Sequence, residues 1–219
     1  MKPDYVWVTA GAGSVESVKE NFELGVFTHV TMPLEIMRSA PNGTRIVLFS
    51  SDYVAHEDFP GDPTKRTSKP RSLYAMTKLW LEEGFDFLER PNSVVIRVGS
   101  LYGKHFYEKT FPGKLTQRYP EPDKIVLPTN VIVPTLTRWA AEVLLRHSEF
   151  MFYGPMKKVY HLAPRGQVNV LNFGRLILGE GYRFEAKGLD LNRPRLSQLG
   201  CSFGEAPDWL ELWRSGWWV

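Results

Sequence analysis

Three side chains have the types and the spacing that reduction of a carbonyl group requires: Ser51, Tyr74 and Lys78. Tyr74 and Lys78 are four residues apart in a predicted helix, so their side chains share one helix face. A carbonyl oxygen that gains charge as hydride arrives needs an acid beside it, and a phenol with the ordinary pKa of about 10 exchanges protons poorly at neutral pH. The Lys78 ammonium is expected to favour the phenolate and lower the pKa of Tyr74, while the Ser51 hydroxyl orients and polarises the same carbonyl.

The Tyr-x-x-x-Lys spacing is weak evidence by itself, because Tyr153 and Lys157 match it as well. That second pair is interrupted by Gly154-Pro155 and is not predicted to be helical. The first pair instead follows a predicted buried strand that ends in Ser50-Ser51. From the spacing alone two interpretations remain open: a catalytic set, or a surface tyrosine and lysine on an amphipathic helix close to a serine turn.

The elements that must position these residues alternate between strand and helix over the first half of the chain. Short β-branched and bulky runs predict strands, and apolar residues at helical spacing predict helices between them. The predicted elements are a strand at 5–10, a helix after Ser14, a helix at 27–39, a strand at 45–49, a helix at 73–88 and a strand at 93–98. Apolar strands separated by helices indicate an α/β fold with a parallel sheet, whose strand ends open into a ligand crevice.

Beyond residue 103 the pattern loosens and predicts a smaller lobe. The predicted elements there are helices at 135–147, 168–178 and 207–218, and a further strand of the main sheet at 159–163. For a chain of 219 residues we expect a main domain of residues 1–103 and 131–165 and a substrate-binding lobe of residues 104–130 and 166–219. Trp209, Trp213 and Trp217 form one stripe, which either packs onto this lobe or faces a partner.

The composition excludes several classes of protein. With 43% hydrophobic and 23% charged residues and a net charge of +3, the chain is neither disordered nor a disulfide scaffold. Cys201 is the single cysteine and the histidines lack ligand spacing, so no metal site is predicted. Lysine and arginine are spread along the chain, which argues against nucleic-acid binding. We expect a cytoplasmic protein without a membrane segment, and a solvated helix face at Glu82-Glu83.

The segments 47–54 (VLFSSDYV), 72–78 (SLYAMTK) and 96–103 (IRVGSLYG) together resemble the extended short-chain dehydrogenase/reductases, and among these the dTDP-4-dehydrorhamnose reductases. Weaker likenesses at 2–4, 134–135, 193–194 and 207–209 extend the resemblance over nearly the whole chain. It implies a doubly wound, Rossmann-like fold. It also implies reduction of a nucleotide-activated keto-deoxy sugar with NADP or NAD.

The resemblance implies roles for individual residues. Ser51, Tyr74 and Lys78 would be the catalytic set. Lys78 would also hold the nicotinamide ribose, and the other cofactor contacts would be Ala10, Gly11, Val98 and Gly99. The nucleotide-sugar substrate would be contacted by Asp52, Tyr53 and Arg193.

The sequence departs from the pattern of this family at its beginning. The family starts with a glycine-rich β-α turn and two further strands, whereas the first strand here resembles the fourth, so a truncated sheet lacking roughly 60 residues is expected. One alternative is that Gly11-x-Gly13 is a degenerate dinucleotide loop, but its third glycine would fall at Glu16. Too few residues separate Gly13 from Ser51 for two more strands. His29 also stands where the pattern has asparagine.

Two functions follow as hypotheses. The first is an NAD(P)-dependent nucleotide-sugar reductase whose missing cofactor half comes from a partner chain or a rearranged dimer. The second is a non-catalytic module of the same fold that serves binding or assembly. In both cases we expect a partner chain or a homo-oligomer at the strand edge near 5–10, because an uncovered edge templates aggregation. We also expect the chain alone to bind NADP or NAD weakly.

Overall fold

The computed structural model describes residues 2–11, 13–55, 62, 64–103, 110–153, 159–193 and 199–215. The chain divides into two compact units, one of Met1–Val98 with Arg146–His161 and one of Gly99–Leu145 with Leu162–Val219. Residues 99–103, 131–145 and 162–165, which we predicted to belong to the main domain, pack with the second unit.

The strands in chain order are β1 (Tyr5–Val8), β2 (Arg45–Ser51), β3 (Ser93–Val98), β4 (Ser100–Tyr102), β5 (Lys124–Leu127), β6 (Val131–Ile132), β7 (Pro134–Leu136), β8 (Val159–Leu162), β9 (Val168–Asn169) and β10 (Arg183–Ala186). The helices are α1 (Val15–Glu20), α2 (Phe22–Val26), α3 (Met32–Ser39), α4 (Leu73–Leu88), α5 (Phe111–Arg118), α6 (Thr137–Arg146), α7 (Phe150–Tyr153), α8 (Val170–Leu178) and α9 (Trp209–Arg214). The chain is therefore an α/β protein.

The central sheet has four strands in the order β1-β2-β3-β8. β1 pairs with β2 and β2 with β3 in parallel, which confirms the predicted parallel sheet. The last residue of β2, Ser51, lies beside the last residue of β3, Val98. Buried strand residues such as Ile46, Leu48 and Val95 share one core with side chains of α3 and α4. This packing fixes the height of α4 over the strand ends that carry the site.

Helix α4 has the bounds that the sequence predicts. Its N-cap is Ser72, whose hydroxyl accepts from the Ala75 amide at 3.1 Å. It ends at Glu89, which adopts a left-handed conformation with φ of 45°. The serine N-cap is a strong sequence signal for the start of this helix, whereas a left-handed glutamate is not a sequence signal for its end.

The predicted helix at 27–39 is two structures in series. Residues Phe27–Thr31 form a π-helical turn, and α3 begins at Met32 with Pro33 in its first turn. The backbone stays helical at Thr31 and Met32, so Pro33, which has no N–H to donate, directly follows the π-helical turn within one helical run. The π-helical turn carries His29, which is buried. Such turns occur frequently at functional sites.

The second unit contains three two-stranded sheets: β5 with β10, β4 with β7, and β6 with β9. Its core includes an aromatic cluster in which Phe173 contacts Tyr102, Trp209 and Trp213. Trp209 and Trp213 are buried, so packing onto their own unit is the confirmed interpretation for these two, while Trp217 lies outside the described residues. Within the described part of the chain, no helix has the length and apolarity to cross a membrane.

Candidate active site

Ser51 lies where β2 ends and a short turn begins. It is 5% exposed, and its hydroxyl donates to the Asp52 carboxylate at 2.9 Å. The extended backbone of Ser51 then gives way to a single 3-10 turn at Asp52–Val54, which the Ser51 side chain caps at the Tyr53 amide. The strand end therefore presents a buried hydroxyl and a buried carboxylate next to each other.

Tyr74 lies in the first turn of α4 and meets this strand end. Ser51 is near enough to its hydroxyl group to lower the pKa of Tyr74 by hydrogen bonding. Two further rings contact it edge to face, Tyr53 at 5.3 Å and His29 at 5.4 Å between centroids. These contacts hold the phenol in one orientation.

The pKa of Tyr74 differs from the expectation. Burial is the main cause that raises it to about 12; the interaction with Ser51 opposes this rise, and the nearby Asp52 carboxylate adds to it. The predicted lowering by Lys78 is therefore wrong for this structure. The reason is that a desolvated phenolate beside a carboxylate is disfavoured, and the lysine is directed elsewhere.

Lys78 is 8% exposed, and its Nζ donates to the Phe49 carbonyl at 2.9 Å. The nitrogen lies 6.0 Å from the centroid of the Tyr74 ring. Burial lowers the pKa of Lys78 to about 8, and the Glu82 carboxylate partly offsets this shift. An ammonium has three donors, and one is bonded to Phe49, so its chemistry fits a ribose diol as an additional acceptor.

A hydrogen bond to Thr77 orients the His29 ring. The His29 Nδ1 and Thr77 Oγ1 atoms are 2.9 Å apart, and the Thr77 hydroxyl donates its hydrogen to the Tyr74 carbonyl. The His29 Nδ1 must therefore be the donor, so the ring is the Nδ1–H tautomer. Burial and the Lys78 charge lower the pKa of His29 to about 3, which keeps it neutral. A Cβ at Gly11 would lie 3.1 Å from its Nε2.

The sequence did not reveal the role of Glu82. We predicted a solvated face at Glu82-Glu83, and this is wrong for Glu82, which is fully buried, while Glu83 is exposed. The Glu82 carboxylate receives two bonds from Arg97 and one from Arg66. The signal that could have found it is the arginine inside an otherwise apolar strand, because such a residue requires a buried counter-ion.

The remaining predicted residues fall into three places. Ala10 and Gly11 follow β1 and are exposed, and Val98 lies next to Ser51 in the sheet. Gly99 belongs to the second unit, where a Cβ would lie 2.7 Å from the Val133 carbonyl. Arg193, also in the second unit, pairs with Asp190 at 3.2 Å. Across the described residues, no group of three or more acidic, histidine or cysteine side chains could hold a metal ion.

Comparison with known proteins decides the family. A family model described as the RmlD substrate binding domain matches residues 2–202. The chain belongs to this family. No curated protein matches the sequence significantly.

Solved structures show the same fold at low sequence identity. A dTDP-4-dehydrorhamnose reductase from Clostridium acetobutylicum is 22% identical with a TM-score of 0.81, and the match covers 97% of this chain and 79% of that one. The Bacillus anthracis dTDP-4-dehydrorhamnose reductase in complex with NADP is 18% identical with a TM-score of 0.76, covering 95% and 78%. A Bacillus cereus UDP-glucuronic acid 4-epimerase with bound NAD is 14% identical with a TM-score of 0.73, covering 91% and 67%. The RmlD-family chain thus has a Rossmann-like fold.

Proposed function

We propose that this protein reduces the keto group of a nucleotide-activated deoxy sugar with NADPH or NADH. The observation that carries the proposal is the neighbouring pair of hydroxyls from Ser51 and Tyr74, with the Lys78 amine on the same helix face one turn along. This set brings two hydroxyls and a titratable amine together, and Ser51 must turn its hydrogen from Asp52 to the substrate oxygen when substrate binds.

The proposed chemistry assigns one task to each group. The substrate carbonyl oxygen accepts hydrogen bonds from Ser51 and Tyr74, which stabilise the charge that develops on it. A nicotinamide cofactor, when bound, would supply the hydride that the carbonyl carbon accepts. Tyr74 then gives its proton to the oxygen, which completes the alcohol, and Lys78 is the nearby group that can return a proton. Because the pKa of Tyr74 is raised to about 12, the phenol is protonated at neutral pH, and it is a weaker acid than an ordinary phenol.

The cofactor would be held at the ends of the parallel strands. Lys78 would bind the nicotinamide ribose, Val98 and Gly99 would flank the ring, and Ala10 and Gly11 would line the turn after β1. Support comes from the buried Lys78 amine and from Val98 lying beside Ser51. The NADP and NAD bound to the structural neighbours favour the same cofactor class.

The substrate would be a sugar nucleotide. Asp52 and Tyr53 lie next to the hydroxyl pair, and Tyr53 contacts the Tyr74 ring. They are therefore proposed to contact the sugar, and Arg193 to contact the charged part of the substrate. The reductases and the epimerase named above are nucleotide-sugar enzymes by name, which favours this substrate class.

We propose that a partner chain or a second copy of this chain contacts the edge of the central sheet at β1. In the described sheet β1 pairs with β2 alone. The half-buried rings of Tyr5, Trp7 and Phe49 contact one another on one face of these strands. Parallel sheets are normally covered on both faces. The proposed contact surface is therefore this aromatic face together with the adjoining edge of β1. Sedimentation analysis tests it: we expect self-association or binding of a partner, and a monodisperse monomer that recruits no partner would contradict the proposal.

Two observations favour a non-catalytic binding or assembly module instead. Lys78 donates to the Phe49 carbonyl, and the pKa of Tyr74 is raised, not lowered. An assay of product formation from a nucleotide-activated keto sugar, comparing the wild type with Tyr74→Phe, separates the two functions. The reductase requires turnover that the variant loses, and the module requires none from either protein.

A further inference from the structure

A complete ion pair lies in the core next to the candidate site. Arg97, in the middle of β3, and Glu82, on α4, both have fully buried side chains. The guanidinium donates from Nε to Oε1 at 2.9 Å and from Nη2 to Oε2 at 2.8 Å. This two-point geometry fixes the direction as well as the distance between the strand and the helix.

The position of the pair relates it to the catalytic set. Arg97 lies beside Ser50 in the sheet, one residue before the Ser51–Val98 pair. Glu82 lies one helical turn beyond Lys78 on the same face of α4. The ion pair therefore joins the helix that carries Tyr74 and Lys78 to the strand next to Ser51, at the level of the site.

The same carboxylate also anchors the segment between the two catalytic stretches. Arg66 donates to Glu82 Oε2 at 2.7 Å and to Asp86 at 2.6 Å. Arg97 donates in addition to the Lys65 carbonyl at 2.9 Å. Residues 65 and 66 lie on the connection from the Ser51–Tyr53 stretch to Ser72, so one carboxylate–guanidinium pair holds the helix, the strand and this connection.

Stability alone does not account for such a pair. Desolvating two charges opposes their attraction, and replacing a buried ion pair by apolar side chains of similar volume is often neutral or stabilising. Apolar contacts are, however, non-directional. A two-point ion pair keeps a helix in one register over a strand where apolar packing would tolerate small shifts.

We propose that Glu82 and Arg97 are positioning residues, which hold α4 so that the Tyr74 hydroxyl lies near Ser51 and which place a negative charge one helical turn from Lys78. The catalytic consequence rests on the proposed function, and the placement of the charge does not. The charged and titratable groups around Lys78 are Glu82 on its own helix, His29 on the π-helical turn and the Tyr74 ring.

The test replaces the pair as a unit with Glu82→Leu/Arg97→Met, because removing one partner would leave an uncompensated buried charge. We expect a melting temperature within a few degrees of the wild type, a kcat lower by roughly 10- to 100-fold and a KM for the sugar substrate changed less than about threefold. The matched control is Arg138→Met/Glu142→Leu, an exposed pair on α6 in the other unit, which should change none of these values. A folded double variant with wild-type kcat would overturn the proposal.

A second readout does not require turnover. The full chain is treated with a small acylating reagent at a series of pH values. Mass spectrometry of its peptides then gives the rate of modification at Lys78. We expect the midpoint to move to lower pH in the double variant, since the Glu82 attraction is lost. If the wild type shows no reductase activity, this midpoint decides: an unchanged value overturns the proposal although the fold is intact. If the double variant does not fold, the test uses Arg66→Gln, which leaves the Glu82–Arg97 pair in place. We expect this variant to lower kcat/KM by about three- to tenfold. An unchanged kcat/KM would overturn the proposal.

Discussion

At the scale of single residues, Lys78 is a charge kept inside the protein, and this has a consequence for stability. Burial lowers its pKa to about 8, against an ordinary value of 10.5. Between these two values the unfolded chain binds more protons than the folded chain, so the free energy of unfolding rises as pH increases through that window. The full effect is at most about 3 kcal/mol, the equivalent of the pKa difference.

Comparison with Lys78→Met isolates this effect. In urea titrations at pH 7.5 and pH 10, the wild type should gain stability relative to the variant. Other groups that titrate in this range contribute equally to both proteins. A difference between the two proteins that stays constant with pH would show that the amine is solvated.

His29 responds to acid in the same direction. Its pKa is lowered from 6.5 to about 3. Between these two pH values His29 is protonated in the unfolded chain and neutral in the folded chain. Stability attributable to His29 is complete above pH 6.5 and is lost as pH falls towards 3. From pH 7 to pH 5 the loss should be about 2 kcal/mol.

His29→Asn removes the titrating group from a site where the amide can still bond to Thr77. We expect the variant to lose less stability than the wild type over the same interval. Chemical denaturation at the two pH values measures this directly. Equal losses in both proteins would mean that the ring is not the neutral, buried tautomer that the Thr77 bond requires.

At the scale of elements, the N-terminus of α4 positions the phenol of Tyr74. Ser72 caps the helix two residues before it. Replacing an N-cap serine by alanine costs about 1 kcal/mol, whereas aspartate keeps the acceptor. We therefore expect Ser72→Ala to lower the free energy of unfolding by about 1 kcal/mol and Ser72→Asp to leave it nearly unchanged. If both variants lose the same amount, the cap is not what stabilises this end.

The elements that the sequence predicted well are those with strong local signals. β2, β3 and α4 have continuous apolar or periodic patterns and clear boundaries, and the structure has them at nearly the predicted residues. The two- and three-residue strands of the second unit have too few residues to show a pattern. Their existence depends on pairing partners that are distant in sequence.

The site follows the same rule. The Ser51–Tyr74 contact was predictable because strand end and helix start are both visible in the sequence. The Glu82–Arg97 pair was not, since two adjacent glutamates on a helix look like a solvated face until the strand arginine is placed beneath one of them. The pKa of Tyr74 was also out of reach, because burial and the Asp52 carboxylate act only once the chain has folded.

At the scale of the whole molecule, the chain should bind reduced cofactor weakly on its own. We propose that Lys78, Val98 and Gly99 contact the nicotinamide end of the cofactor, and we assign no residue of the chain to the adenosine end. Loss of about 4 kcal/mol of contacts weakens a micromolar site roughly a thousandfold, to millimolar. Calorimetric titration with NADPH and NADH measures this. A micromolar dissociation constant would instead mean that the turn at Gly11 and Gly13 binds phosphate.

We propose that the protein reduces a keto group on a nucleotide sugar, with Ser51, Tyr74 and Lys78 as its catalytic residues. The most direct test is product formation from dTDP-4-dehydrorhamnose at millimolar NADPH, a concentration that compensates for weak binding, followed by chromatography and mass spectrometry. We expect the wild type to form an alcohol product. The rate of its formation should fall at least about a hundredfold in Tyr74→Phe and in Ser51→Ala, with both variants folded. Equal product formation by the wild type and Tyr74→Phe, or none by the wild type even with its partner present, would contradict it.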